Sequence, residues 1–71
     1  MALITITRLR SIISSVDKPK GIPKPSISVD DGSIYVFCHD SSYAYSVQDA
    51  LRAIGVRTTI HPRNWAEIII Y

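Results

Sequence analysis

The amino-acid sequence predicts a small α+β fold: an antiparallel sheet of three to four strands with helices, in the order α-β-β-α-β-β. Three observations predict it: an Asp-Gly turn between two alternating runs, two segments with apolar residues at helical spacing, and a strand-like isoleucine-rich end. At 71 residues, the chain is expected to form a single domain over 1–71.

The first helix is expected over about residues 6 to 16, with Thr5 or Thr7 as its N-cap. Its apolar residues lie at i, i+3, i+4 and i+7: Leu9, Ile12, Ile13 and Val16. For residues 2–7 a strand is the competing interpretation, because Ile4 and Ile6 alternate with threonines.

Residues 17–25, with the sequence DKPKGIPKP, predict a linker between this helix and the body of the fold. Three prolines and a glycine are incompatible with a helix or a central strand. Lys18, Lys20 and Lys24 give the linker a basic edge, so it is also a candidate contact arm.

A two-residue hairpin is predicted at Asp31-Gly32, because Asp-Gly between alternating runs favours a type I′ turn. This register places Val29 opposite Ile34. Residues that face each other share one face of a sheet, so one face is apolar, with Ile27, Val29, Ile34, Val36 and Cys38. The other face carries Ser26, Ser28, Tyr35, Phe37 and His39.

The second helix is predicted over 47–54, with Ser46 as N-cap, Asp49 in the capping-box position and Gly55 closing the helix. Its core-facing residues are Val47, Ala50, Leu51 and Ile54. Residues 43–45 are interpreted as a short extended piece.

Two further strands are predicted, at 56–60 and 66–71, joined by a turn at 61–64. Because Ile68, Ile69 and Ile70 are consecutive, they must face both sides of a sheet. The last strand is therefore either central or part of an interface, since an exposed apolar edge favours pairing with another chain.

The sequence predicts no catalytic, cofactor-binding or metal site. Cys38 is the only cysteine, which excludes an internal disulfide and favours a reducing, cytoplasmic location. Its neighbour His39 is expected on the opposite face of the strand, so the two do not form a nucleophile–base pair. The possible ligands Cys38, His39, Asp40 and His61 match no metal-site spacing. No apolar run approaches the length of a membrane span, and no signal peptide is expected.

Charge is unevenly distributed although the net charge is only +2. Residues 1–25 contain five basic residues and one acidic residue, whereas residues 26–71 contain three basic and five acidic residues. This asymmetry indicates either an acidic partner or a solvated linker.

Several residues are candidates for partner binding. Tyr35 and Phe37 share a strand face, which is expected either to be covered by the first helix or to stack on bases. Trp65 lies near Arg63, and both residue types are enriched at binding hot spots, although a lone tryptophan in a small protein is more often a core or rim residue. Ile69 and Tyr71 belong to the terminal strand, through which we expect partner docking, most simply as a homodimer.

The function expected from these features is a non-enzymatic protein-binding module. It would be a small inhibitor or adaptor that occludes a larger protein partner, of the kind encoded by phages and mobile elements against host machinery. The alternative is a nucleic-acid-binding protein that uses the basic arm and the Tyr35/Phe37 face. The acidic balance of residues 26–71 makes nucleic acid the weaker interpretation.

Overall fold

A computed structural model describes residues 4–71. It confirms an α+β fold with the predicted element order. The elements are α1 (Ile6–Ser15), β1 (Ser26–Asp30), β2 (Ser33–Phe37), α2 (Ser41–Ala53), β3 (Thr58–His61) and β4 (Asn64–Ile70). Ile6 and Thr7 belong to α1, so the strand alternative for residues 2–7 is wrong there, while residues 2 and 3 lie outside the described residues.

The start of α1 is capped by Thr5, whose side chain accepts a hydrogen bond from the Arg8 backbone N–H at 3.2 Å. This contact satisfies one of the free N–H groups at the helix N-terminus. Between α1 and β1 the linker contains no helix or strand, as predicted. Within it, the Lys18 ammonium donates to the Ile22 carbonyl.

The four strands form one antiparallel sheet in the order β1-β2-β4-β3. The predicted hairpin register is confirmed, since Val29 lies opposite Ile34 and Ile27 opposite Val36. Asp31 and Gly32 have φ of 51° and 82°. A type I′ turn requires positive φ at both central positions, which explains the Asp-Gly pair.

The last strand, β4, is central in the sheet and pairs with β2 on one edge and β3 on the other. Its consecutive isoleucines divide between the two faces: Ile68 and Ile70 are fully buried, and Ile69 is half-buried. Residues 68–70 of β4 are paired on both edges, so association by edge pairing is excluded for this part of the strand. The alternative of a central strand, considered from the sequence, is the observed one.

Both helices lie on the same side of the sheet, where α2 packs on β3 and β4 and α1 packs against α2. Leu9 and Ile13 of α1 belong to the same buried cluster as Val36 of β2 and Ile68 of β4, and α1 also contacts α2. The expectation that α1 covers Tyr35 and Phe37 is therefore wrong. The apolar helix faces and the apolar sheet face bury each other in one core, which leaves the second sheet face opposite the helices.

The second helix begins earlier than predicted. Residues 43–45, interpreted from the sequence as extended, lie within α2, and the N-cap is Asp40 instead of Ser46. The Asp40 carboxylate accepts a hydrogen bond from the Tyr43 N–H at 2.9 Å. The added turn buries Tyr43 and Ala44 beside Val47. These residues continue the apolar stripe toward the N-terminus, which explains the longer helix.

The end of α2 follows the prediction at Gly55, which has a φ of 83°. Its N–H donates to the Arg52 carbonyl and the Val56 N–H donates to the Leu51 carbonyl, the two bonds of a Schellman motif. Val56 and Leu51 are both buried, as this motif favours. Ile54, however, is 46% exposed, so its predicted place in the core is wrong.

Candidate functional site

The sheet face opposite the helices, here called the open face, carries one row of residues across all four strands. Tyr35 of β2 lies opposite Ile69 of β4, which in turn lies opposite Thr59 of β3. On the other side of Tyr35 lies Ser28 of β1. Tyr35 and Ile69 are both half-buried. The row is therefore an apolar centre flanked by hydroxyl groups.

A second row places an aromatic ring beside a carboxylate. Phe37 lies between Ser26 of β1 and Glu67 of β4. The ring of His39 stacks on the ring of Phe37, with centroids 4.3 Å apart and planes tilted by 45°. His39 has a left-handed φ of 66°, a conformation uncommon outside glycine and the small polar residues. The stacked pair extends the aromatic surface past the end of β2.

Trp65 adds the largest exposed aromatic side chain, with 71% of its surface accessible. It precedes Glu67 by two residues in β4, so strand alternation places it toward the open face. The pairing of β3 and β4 shifts between Ile60 and His61, and the β4 residues from Trp65 to Glu67 have no β3 partner. On the other edge the Cys38 N–H donates to the Ala66 carbonyl at 2.7 Å, so the pairing of β4 with β2 continues past Glu67 and supports this placement.

Two other predicted partner-binding residues lie near the ends of β4. Arg63 occupies the β3–β4 turn and is exposed, and its backbone N–H donates to His61 Nδ1 at 3.0 Å. Tyr71 follows the strand, is 47% exposed, and its N–H donates to the Arg57 carbonyl.

Within its strands the open face carries acidic rather than basic groups, whereas Arg57 precedes β3 and Arg63 lies in the β3–β4 turn. Glu67 lies beside Phe37, and the cross-strand pairing places Asp30 on the same face at the outer strand. None of the four strands contains lysine or arginine. A surface for phosphates needs positive charge, so the carboxylates within these strands weigh against binding of a nucleic-acid backbone.

Two of the three linker lysines lie away from the open face. Lys18 and Lys24 line a cleft on the helix side of β1, whereas Lys20 is exposed and does not line it. The nucleic-acid hypothesis combines the basic linker with the Tyr35/Phe37 face. Lys18 and Lys24 of the linker, however, lie on the opposite side of the sheet from that face. The partner-binding residues predicted from the sequence divide into two separate groups.

Cys38 is completely buried, and burial raises the pKa of its thiol from 9.0 to about 11. Its side chain lies in the core while the neighbouring His39 ring stacks on Phe37, so the predicted divergence of the two is confirmed. A thiol with a raised pKa is a poor nucleophile at neutral pH. Across residues 4–71, no group of three or more histidine, cysteine or carboxylate side chains is arranged to hold a metal ion.

Sequence reasoning missed the contribution of Glu67 to the open face and the stacking of His39 on Phe37. Glu67 joins Phe37 only through the long-range pairing of β2 with β4, which no local pattern reveals. His39 was assigned to the correct face, but its stacking depends on an unusual backbone conformation.

No helix in the described part of the chain has the length and apolar character needed to cross a membrane. No protein-family model matches the sequence, and searches of curated proteins and of solved structures found no match.

Proposed function

We propose that this protein is a non-enzymatic protein-binding module whose open face docks on a larger protein partner. It acts as an inhibitor or adaptor by covering a surface of that partner. The observation that carries the proposal is the aromatic and apolar surface on the sheet face opposite both helices. Tyr35, Phe37 and Ile69 form its centre, and Trp65 is the exposed anchor.

The composition of the face supports a protein partner. Protein interfaces combine an apolar, aromatic centre with a polar rim, and tryptophan and tyrosine dominate their binding energy. Here the centre is Tyr35 with Ile69, and the flanking positions are Ser28 and Thr59. The carboxylates of Glu67 and Asp30 favour a partner surface that presents lysine or arginine.

Binding of single-stranded nucleic acid is a second candidate function, favoured by one observation. Tyr35 and Phe37 lie two residues apart on a sheet face with no helix of the described chain packed over it, an arrangement on which bases can stack. The absence of basic residues from the strands and the position of Glu67 beside Phe37 weigh against it.

Affinity capture with matched variants tests the proposal. The tagged protein, an Ile69→Lys variant and a Tyr45→Lys variant are incubated with cell lysate, with and without nuclease. Tyr45 is 53% exposed on α2, so its substitution adds the same charge away from the open face. We expect a nuclease-resistant protein to bind the wild type and Tyr45→Lys but not Ile69→Lys.

Equal capture by all three proteins would refute docking through the open face, and loss of all bound material after nuclease treatment would favour the nucleic-acid function. The homodimer expected from the sequence stays a prediction. Since residues 68–70 of β4 are paired on both edges, a dimer that uses Ile69 would have to form through the open face. Light scattering on the wild type and Ile69→Lys distinguishes such a dimer from a monomer that binds a different protein.

A further inference from the structure

Three features lie together at the outer edge of β1, away from the open face: an edge strand, a cleft and a group of cationic side chains. β1 is an edge strand of the sheet, paired only with β2 among the described residues. A cleft of about 610 Å³ lies beside it, between the C-terminal half of α1 and the linker. Cationic side chains border this cleft. It lies on the helix side of the sheet and is separate from the open face.

The helices stop short of covering β1. Val29 is 64% exposed although Ile34, its cross-strand partner on the same face, is only 4% exposed. Ile27, the other apolar residue of this face of β1, is half-buried and lines the cleft. An apolar strip therefore runs along β1 at the margin of the helix layer.

The backbone of the same two residues has no strand partner on its outer side in the described part of the chain. In a two-residue hairpin the closing pair, here Asp30 with Ser33, is hydrogen-bonded across the strands. Hydrogen-bonded and non-hydrogen-bonded pairs alternate in an antiparallel ladder. Ile27 and Val29 consequently direct their N–H and C=O groups away from β2, toward the free edge. An added strand would meet both this backbone and the apolar strip.

Charge around the cleft selects the partner. Arg10, Lys18 and Lys24 line it together with a single carboxylate, Asp17. The apolar part of the lining includes Ile13, Val16, Ile27 and Tyr43. A ligand that matches this surface carries apolar side chains for the interior and carboxylates for the border.

We propose that the β1 edge and its adjoining cleft bind an extended acidic peptide segment of a protein. The segment adds to the sheet as a fifth strand. Its apolar side chains contact Ile27 and Val29, and its carboxylates pair with Lys18, Lys24 and Arg10. A second copy of this chain is a poorer occupant, because pairing through β1 would bring two cationic borders together. Nucleic acid lacks the backbone groups that complete a strand edge.

Fluorescence anisotropy tests this site with a labelled peptide of sequence ESVSVSE, whose glutamates and valines share one face of a strand because alternate residues do. The comparison probes are the peptide KSVSVSK and a labelled oligothymidylate. Lys24→Glu reverses a charge at the cleft, and Lys20→Glu makes the same change in the linker outside the cleft. We expect the acidic peptide to bind best of the three probes. Lys24→Glu should lower its affinity about tenfold, because the charge reversal removes one attractive ion pair and adds one repulsion, each of modest size. Lys20→Glu should have a much smaller effect.

Amide chemical shifts provide the second measurement, and they should change at Ile27 and Val29 when the acidic peptide is added. Ile69→Lys should bind this peptide like the wild type, so the result is independent of the function proposed for the open face. The inference is overturned if the acidic peptide does not bind, or if the lysine peptide or the oligothymidylate binds as well. Equal weakening by Lys20→Glu and Lys24→Glu would overturn it too, because it would show general attraction between opposite charges.

Discussion

Tyr35 and Ile69 are direct cross-strand partners at the centre of the sheet, although they are 34 positions apart in the sequence. The pair exists because β4 inserts between β2 and β3. Both helices lie on the opposite side, so the Tyr35–Ile69 pair forms the middle of a face that no described helix covers. Aromatic–aliphatic pairs of this kind stabilise a sheet and also supply apolar contact area to a partner.

The N-cap of α2 provides a test of the helix boundary. Asp40→Ala removes the acceptor of the Tyr43 N–H, and it should lower the free energy of unfolding by about 0.5–2 kcal/mol. Ser46 lies inside the helix, where alanine is favourable. Ser46→Ala should therefore change the free energy of unfolding by less than about 0.5 kcal/mol. Urea unfolding followed by circular dichroism measures both. A larger loss for Ser46→Ala would mean that the helix begins at residue 47.

Core packing of α2 is tested by two aliphatic residues near its C-terminus. Leu51 is fully buried, so Leu51→Ala should cost about 2–5 kcal/mol. Ile54 is 46% exposed, and Ile54→Ala should cost less than about 1 kcal/mol. Small domains have only about 5 kcal/mol to lose, so Leu51→Ala should be largely unfolded at room temperature. Similar thermal stability of the two variants would contradict the packing.

The hydroxyl group of Thr58 is a local weakness in the core. Its Oγ1 is buried and has no hydrogen-bond partner among residues 4–71, which carries a desolvation cost. Thr58→Val replaces the hydroxyl with a methyl group of similar size and should stabilise the fold by about 1 kcal/mol. The melting temperature should rise by about 4–8 °C. Thr59→Val, on the half-exposed open face, is the control and should have a smaller effect. A destabilised Thr58→Val would show that the hydroxyl makes a favourable contact.

Burial of Cys38 predicts a loss of stability at alkaline pH. Its folded pKa of about 11 lies above the ordinary value of 9.0, so the unfolded chain loses the thiol proton first. The buried, protonated thiol therefore contributes to the free energy of unfolding. This contribution is complete below pH 9.0 and decreases as pH rises toward 11, by about 1 kcal/mol per pH unit. Burial also raises the pKa of Tyr43, which acts in the same direction.

At each pH, the unfolding free energy of Cys38→Ala is subtracted from that of the wild type. The difference separates the contribution of the thiol from those of Tyr43 and other titrating groups. The difference between wild type and variant should be constant below pH 9.0 and should narrow above it. A difference that does not change between pH 9 and 11 would contradict the raised thiol pKa.

The sequence predicted the features that depend on neighbouring residues. Asp31-Gly32 determined the hairpin register, and Gly55 marked the end of α2. The start of α2 was wrong because Ser46 and Asp40 are both acceptable caps, and only tertiary burial of Tyr43 decides between them. The open face was not predictable as such, because helix periodicity shows that α1 has an apolar face but not which side of the sheet it covers.

Site-specific photocrosslinking tests the central claim, docking of a protein on the open face, most directly. The crosslinking residue p-benzoylphenylalanine is introduced in place of Trp65, which is 71% exposed, and, as a matched control, in place of Tyr45 on α2. After irradiation in lysate, mass spectrometry identifies what is attached. The account predicts a crosslink to a larger protein from position 65 and little or none from position 45. Equal yields at both positions, or an adduct with nucleic acid from position 65, would contradict it.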